Sequence, residues 1–165
     1  MANIGQRVGI FVDVQNLYYS AKNLYQSYVN FSQILKKGLG SGQLVRAVAY
    51  GIKANLPKEE VFFKALAEAG FELKLKDLQV YAGGLKKGNW DVGMSVDMIR
   101  LAEKLDIVVL ASGDGDFLDL VEYLQNRGIY VKIFAFGQSA STKLIERADF
   151  FEDLDKNTDS FLIKK

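Results

Sequence analysis

The sequence of 165 residues contains neither cysteine nor histidine. Without cysteine there is no disulfide framework and no thiolate chemistry. Without histidine there is no Ser-His-Asp or Cys-His catalysis, and a zinc site is disfavoured. Any acid–base or metal chemistry must therefore rest on Asp, Glu, Lys, Tyr, Ser or bound water.

The sequence also lacks an excess of either charge and lacks long apolar runs. Its 21 Lys and Arg residues balance 20 Asp and Glu residues, for a net charge of +1. This balance argues against a polybasic nucleic-acid coat but leaves open a basic rim around an acidic centre. The apolar stretches, such as Ile107–Ala111, are far too short to span a membrane, and the N-terminus does not resemble a signal peptide. We therefore expect a soluble, cytoplasmic protein with no membrane partner.

Segments typical of strands alternate with segments typical of helices. The predicted strands are Val8–Val14, Leu44–Ile52, Phe71–Leu75 with Leu78–Ala82, Ile107–Ser112 and Ile129–Phe136. The predicted helices are Asn16–Tyr28 with Phe31–Leu39, Pro57–Ala69, Trp90–Leu105, a helix with an apolar repeat from Phe117 to Leu124 that Gly128 ends, and Ser139–Ala148. This alternation predicts an α/β fold with a mainly parallel sheet of about five strands. We expect one domain over residues 1–155 and a frayed tail over residues 156–165.

Acidic residues follow two of the predicted strands. Asp13 and then Asn16 follow the first strand, and Asp114 and Asp116 follow Ile107–Ser112. Ligands bind at the carboxyl ends of the strands in open parallel sheets. A single aspartate at such a junction is commonly a helix N-cap. Acids after two strands that we expect to be neighbours favour a functional site instead.

The helix that begins near residue 90 supplies two more acids. Asp91 lies in line with the apolar stripe that starts at Met94, whereas Asp97 projects about 120° away, on the margin of that stripe. This helix should begin at the same sheet edge, which places Asp91 opposite Asp13 and Asp114. The alternatives are an N-cap for Asp91 and a solvated or salt-bridged position for Asp97.

Four carboxylates gathered at one edge would repel one another, and their pKa values would rise unless a cation neutralised them. Mg²⁺ or Mn²⁺ is the economical solution, because both prefer oxygen ligands. Such an ion can hold a phosphate and activate a water molecule without any histidine. The sequence therefore favours phosphodiester hydrolysis over acyl or glycosyl transfer.

A glycine- and lysine-rich segment, GGLKKGNW at residues 83–90, is a candidate rim for an anionic substrate. Lys86 and Lys87 would contact phosphates, and Trp90 would stack on a base. The alternative is a mobile loop with a core-packing tryptophan.

Two other groups of residues have a binding interpretation and a structural one. Ser139, Ser141 and Lys143, at the start of the last predicted helix, would either contact phosphate or cap the helix. Capping is the favoured interpretation for Ser139. Tyr18, Tyr19 and Phe31 would either stack on bases or pack in the core, which is the commoner role of helical aromatics.

Three segments, FVDVQNL at residues 11–17, KKGNWDVGMSVDM at 86–98 and SGDGDF at 112–117, occur in an order that resembles the NYN domain family. The resemblance is to its LabA-like branch, within the PIN-like nuclease superfamily, and covers roughly Val8 to Leu154. It implies a Rossmann-like three-layer sandwich, and metal-dependent ribonuclease activity as in the active members of the family.

The resemblance also assigns residues to the site. The matching positions are Asp13 with its companion Asn16, the helix residues Asp91 and Asp97, the pair Asp114 and Asp116, and the polar residues Ser112 and Ser141.

We therefore predict an endoribonuclease that hydrolyses RNA with water activated by Mg²⁺ or Mn²⁺. The predicted metal ligands are Asp13, Asp91, Asp114 and Asp116, with Asp97 in a supporting catalytic role and the substrate bound by Asn16, Ser112, Lys86, Lys87, Trp90, Ser141 and Lys143.

Two other functions remain open, as does the oligomeric state. The first is a noncatalytic RNA-binding or regulatory module with the same fold. The second is a small-molecule phosphatase, which is disfavoured because the segment Asp13-Val14-Gln15 lacks the second acid of a DxD loop. A homodimer is compatible with the small size and the aromatic content.

Overall fold

The computed structural model describes residues 5–84 and 86–163. The strands are β1 (Arg7–Asp13), β2 (Tyr28–Val29), β3 (Gln43–Lys53), β4 (Glu72–Asp77), β5 (Gln79–Val80), β6 (Lys86–Lys87), β7 (Ile107–Ala111), β8 (Tyr130–Ala135), β9 (Phe150–Asp153) and β10 (Leu162–Ile163). The helices are α1 (Val14–Tyr25), α2 (Phe31–Leu39), α3 (Glu59–Glu68), α4 (Asp91–Leu101), α5 (Leu118–Asn126), α6 (Thr142–Arg147) and α7 (Thr158–Phe161). Short 3₁₀ turns at Ala102–Lys104, Gly115–Phe117 and Leu154–Lys156 follow α4, β7 and β9.

Six parallel strands form the main sheet, in the order β4-β3-β1-β7-β8-β9. The predicted pairing of the first strand with Ile107–Ser112 is confirmed, because β1 lies beside β7 with Val8 opposite Ile107. The chain runs outward from β1 through β3 to β4, and then returns to continue through β7, β8 and β9. The order therefore reverses between β1 and β7, where doubly wound folds bind their ligands.

Two apolar layers cover the sheet, because successive side chains of a strand point to opposite faces. On β1, Val8, Ile10 and Val12 belong to the layer that also contains α1 and α2 residues. Phe11 belongs to the other layer, together with residues of α4 and α5 such as Met98. The predicted three-layer sandwich is confirmed.

The sheet has one strand more than the five we expected. The additional strand is β9, which pairs with β8 along one edge of the sheet through registers such as Ile133 with Phe151. Its four residues, FFED, are too few and too mixed in polarity to show a strand period.

The prediction of a frayed tail is wrong for residues 156–163. The tail forms α7 and β10, and β10 pairs antiparallel with β2. Phe161 is fully buried, its ring lies 6.3 Å from that of Phe134, and its carbonyl oxygen accepts a hydrogen bond from the Asn30 backbone N–H at 2.7 Å. These contacts join residues far apart in the chain and keep the segment folded.

Across the two described ranges, no helix combines the length and the apolar character needed to cross a membrane.

Candidate metal centre

Three carboxylates meet where the strand order reverses. Asp13 ends β1, Asp91 begins α4 and Asp114 lies in the loop after β7, and each side chain offers an oxygen atom within 4.8 Å of those of the other two. All three residues are partly buried. The structure thus brings together three of the acids that the sequence pointed to. We call this set the acidic cluster.

Asp13 combines the two functions considered for it, since it caps a helix and also belongs to the acidic cluster. Its Oδ1 accepts a hydrogen bond from the Asn16 backbone N–H at 3.3 Å, which caps α1, and its Oδ2 accepts one from the Ser112 hydroxyl at 2.9 Å. Burial raises the pKa of Asp13, the two hydrogen bonds oppose that rise, and the charge of Asp114 adds to it. One side chain is thereby fixed between β1 and β7.

Asn16 and Ser112 position the loop that carries Asp114. The Asn16 side-chain oxygen accepts a hydrogen bond from the Gly113 N–H at 2.9 Å, and the Ser112 hydroxyl accepts one from the Asp114 N–H at 3.1 Å. A Cβ at Gly113 would lie 2.9 Å from the Cα of Ala140, so this close approach requires glycine. Both predicted substrate-binding residues therefore contact protein groups here, although Asn16 also lines the cleft beside the cluster.

Asp91 shows most clearly how crowded the acidic cluster is. Burial, a hydrogen bond with the Asp114 carboxyl group, and the negative charges of Asp114, Asp13 and Asp116 raise the pKa of Asp91 to about 7. The Asp91 carboxyl group therefore keeps its proton up to about neutral pH in the metal-free protein. A divalent cation would relieve the same repulsion.

The donor set fits a hard divalent cation. It consists of carboxylate oxygens alone, which are the ligands that Mg²⁺, Ca²⁺ and Mn²⁺ prefer, and it lies next to an open cleft that leaves room for water and substrate. Asp13, Asp91 and Asp114 are the residues that would hold the ion.

Asp97 is not part of the acidic cluster. It is buried, and its Oδ2 accepts hydrogen bonds from the Tyr50 hydroxyl and from the Lys74 ammonium group, both at 2.7 Å. Burial alone would raise the pKa of Asp97, but the bonds from Lys74 and Tyr50 and the charge of Lys74 outweigh it and hold the pKa below its usual value. The predicted catalytic role is therefore corrected to an internal ion pair, which was the alternative considered for this residue.

Asp116 lies beside the acidic cluster without joining it. Its side chain is exposed, and its backbone N–H donates to Oδ1 of Asp114 at 2.9 Å. Its negative charge contributes to the raised pKa of Asp91. In this geometry it influences the cluster through its charge and is not one of the three converging ligands.

Trp90 packs in the position that the structural alternative assigned to it. Its indole N–H donates to the Gly51 carbonyl at 2.9 Å, and its ring centroid lies 5.2 Å from that of Tyr50. The Lys76 ammonium group lies 4.2 Å from the ring centroid, and a Cβ on Gly93 would lie 2.6 Å from the ring. These contacts are those of a core-packing tryptophan, and stacking of Trp90 on a base stays a prediction.

The remaining predicted substrate residues either do not line the cleft or have side chains outside the described part of the structure. Ser141 caps α6, since its hydroxyl accepts a hydrogen bond from the Leu144 N–H at 3.4 Å. Lys143 is exposed on α6 and does not line the cleft. The side chains of Lys86 and Lys87 are outside the described structure, which gives only the pairing of their backbone with β5.

A cleft of about 380 Å³ extends from the acidic cluster along α1. Besides the three acids, it is lined by Asn89, by Ser139 and by the α1 residues Gln15, Asn16, Tyr19, Ser20, Asn23 and Leu24. Gln15, Ser20 and Asn23 were not among the residues predicted from the sequence. Their spacing was the available signal, because residues four apart share one face of a helix.

Comparisons with known proteins agree with this fold. The chain is 26% identical over 169 residues to the low amplitude and bright protein LabA of Synechococcus elongatus (strain ATCC 33912 / PCC 7942 / FACHB-805), covering 93% of this chain and 87% of that protein. It superposes on the crystal structure of a protein of unknown function, VPA0982, from Vibrio parahaemolyticus RIMD 2210633 with a TM-score of 0.88, 37% identity and 99% coverage of both chains.

The model of one protein family matches a range that contains all six strands of the main sheet. The description of that family is NYN domain, and its model matches residues 7–155. This range begins with β1, ends just after β9 and includes the acidic cluster. The chain therefore belongs to the NYN domain family.

Proposed function

We propose that this protein is an endoribonuclease that depends on Mg²⁺ or Mn²⁺ and hydrolyses RNA phosphodiester bonds at the acidic cluster. The observation that carries the proposal is the convergence of Asp13, Asp91 and Asp114 within 4.8 Å at the switch point of the sheet. Membership of a family within the PIN-like nucleases supports it.

The residues of the cluster have distinct tasks in this proposal. Asp13, Asp91 and Asp114 hold the cation, Ser112 and Asn16 keep Asp13 and the Asp114 loop in place, and the cleft receives the RNA strand. When bound, a divalent ion supplies positive charge for a phosphate oxygen and acidifies a water molecule.

The proton on Asp91 must leave before a cation binds to its carboxylate. The pKa of about 7 for Asp91 in the metal-free protein therefore makes metal affinity increase with pH through the neutral range. Asp116 raises the pKa of Asp91 through its negative charge, which would also lie near a bound cation.

Purified protein incubated with 5′-labelled single-stranded and hairpin RNA tests this proposal. We expect cleavage with Mn²⁺ or Mg²⁺, none with EDTA, and full recovery when excess ion is restored. Asp13→Asn protein purified in parallel controls for contaminating ribonuclease, because the amide keeps the helix cap but removes a charge from the cluster.

Cleavage that persists in EDTA, or that is equal in the Asp13→Asn preparation, would contradict the proposal. RNA binding without metal-dependent cleavage would instead support the noncatalytic module. A homodimer and a location in the cytoplasm stay predictions from the sequence.

A further inference from the structure

We propose that Tyr19 and Asn23 form a nucleobase subsite on α1 that binds an unpaired base of single-stranded RNA beside the acidic cluster. The identification of the ligand as RNA rests on the proposed function. The position, the ring support and the polarity of the residues that line the cleft support the subsite itself.

The cleft residues of α1 form two rows that lead away from the acidic cluster. One row is Gln15, Tyr19 and Asn23, and the other is Asn16, Ser20 and Leu24, each with the four-residue spacing of one helix face. Because α1 begins directly after Asp13, Tyr19 lies about 9 Å along the helix axis from the cluster. A strand with a phosphate at the cluster can therefore extend along this face.

Tyr19 is exposed but supported. Its side chain is 51% exposed, and its ring centroid lies 5.3 Å from that of Tyr18, with the rings edge to face. Tyr18 in turn packs on Phe62 at 6.3 Å, and Phe62 packs on the buried Phe31 at 6.0 Å. This chain of rings connects Tyr19 to the core, so the tyrosine presents a supported aromatic surface to the cleft. Such surfaces bind bases by stacking, whatever the sequence.

Asn23 lies one turn beyond Tyr19 on the same row. Its amide offers both a donor and an acceptor, which suits the edge of a base that lies on the tyrosine. On the neighbouring row, the Ser20 hydroxyl accepts a hydrogen bond from the Ser139 hydroxyl at 2.9 Å, which connects α1 to the turn before α6. The helix that carries the subsite is thus held on two sides, by the ring contacts of Tyr18 and by this hydrogen bond.

The lack of charge on the α1 side of the cleft, together with the need for an unpaired base, favours single-stranded RNA as the ligand. The six α1 residues that line the cleft carry no charge, so this part of the cleft presents none of the negative charge that the cluster holds against phosphate. Stacking on a side chain requires a base that is not paired in a helix. Single-stranded RNA therefore fits the cleft better than duplex RNA.

The test measures the binding of a labelled single-stranded RNA decamer in EDTA, so that the outcome does not depend on cleavage. We expect Tyr19→Ala to weaken binding between about fivefold and about 150-fold, which is the contribution of one stacked base, and Tyr19→Phe to bind like the wild type. Tyr130→Ala is the matched control. Tyr130 is 42% exposed, but it is the first residue of β8 and so lies at the amino ends of the parallel strands, whereas the acidic cluster lies at their carboxyl ends.

Decamers with a single abasic nucleotide at each position in turn locate the stacked base. We expect one position at which the abasic change weakens binding to the wild type but no longer affects Tyr19→Ala. Asn23→Ala should reduce the discrimination among bases at that same position. Duplex RNA should bind equally to the wild type and to Tyr19→Ala.

The proposal is overturned if the wild type does not bind the decamer, if Tyr19→Ala binds it as the wild type does, or if Tyr130→Ala loses as much affinity. Its failure is separable from that of the proposed function. Binding through Tyr19 without metal-dependent cleavage refutes only the nuclease, whereas metal-dependent cleavage with unchanged Tyr19→Ala binding refutes only the subsite.

Discussion

Replacement of Asp91 by asparagine is expected to lower the rate of metal-dependent RNA cleavage roughly a thousandfold, the equivalent of about 4 kcal/mol of transition-state stabilisation. The change removes one of three negative charges that would hold the cation while keeping the size of the side chain. The asparagine amide can still donate a hydrogen bond to Asp114, as the protonated Asp91 carboxyl does in the metal-free protein. Asp13→Asn and Asp114→Asn should reduce the rate to a similar extent, measured as the single-turnover cleavage of labelled RNA at saturating Mn²⁺.

Two acids near the cluster provide matched controls for these rates. Asp116→Asn changes an exposed side chain outside the cluster, and we expect it to retain cleavage within about tenfold, because only a longer-range charge is lost. Asp97→Asn breaks the ion pair between the buried Asp97 and the partly buried Lys74, and it should reduce stability more than the chemical rate. Equal losses in all five variants would contradict the division between the cluster and its surroundings.

The metal-free protein should lose stability relative to Asp91→Asn as the pH rises from about 4 to about 7. The folded state keeps a proton on Asp91 up to a pKa of about 7, whereas the unfolded chain releases it near the ordinary aspartate pKa of 3.8. The folded state therefore binds more protons in this window, and its free energy of unfolding falls as the pH rises. Asp91 is partly exposed, so after solvent screening we expect a relative change on the order of 1–2 kcal/mol.

Urea unfolding in EDTA at pH 4, 5.5 and 7 measures this difference. Asp77→Asn is the control, because Asp77 is exposed at the end of the edge strand β4. The difference in free energy of unfolding between this variant and the wild type should change little across the same pH range. Saturating Mn²⁺ at pH 7 should restore the stability of the wild type, since the cation replaces the proton, and should have less effect on Asp91→Asn. A difference that stays constant with pH would show that Asp91 is not crowded by the neighbouring acids.

The central part of the fold was predictable because its signals are local. β1 and β7 are continuous apolar runs, as expected of strands covered on both faces. An acid placed directly after such a strand lies at the carboxyl edge of the sheet whatever the distant packing, which is why Asp13 and Asp114 could be identified. The placement of Asp91 at the site could be predicted because Asp91 lies in line with the apolar stripe of α4.

The parts that were not predictable depend on contacts between distant residues. Lys74 on β4 forms an ion pair with Asp97, and Tyr50 on β3 donates a hydrogen bond to it. Gly51 accepts the Trp90 hydrogen bond from 39 residues away. The tail folds because Phe161 and β10 meet residues near the start of the chain. No pattern within the segments containing Asp97, Trp90 or Phe161 reveals these partners, so their amino-acid types alone allowed several interpretations.

Titration of the protein with Mn²⁺ by calorimetry, in the wild type and in single Asp→Asn variants at positions 13, 91, 114, 97 and 116, tests the metal centre most directly. We expect the affinity to fall at least about tenfold in Asp13→Asn, Asp91→Asn and Asp114→Asn, and to stay close to that of the wild type in Asp97→Asn and Asp116→Asn. Equal affinity in the wild type and in the three cluster variants, or no binding of Mn²⁺ by the wild type, would contradict a metal centre at the acidic cluster.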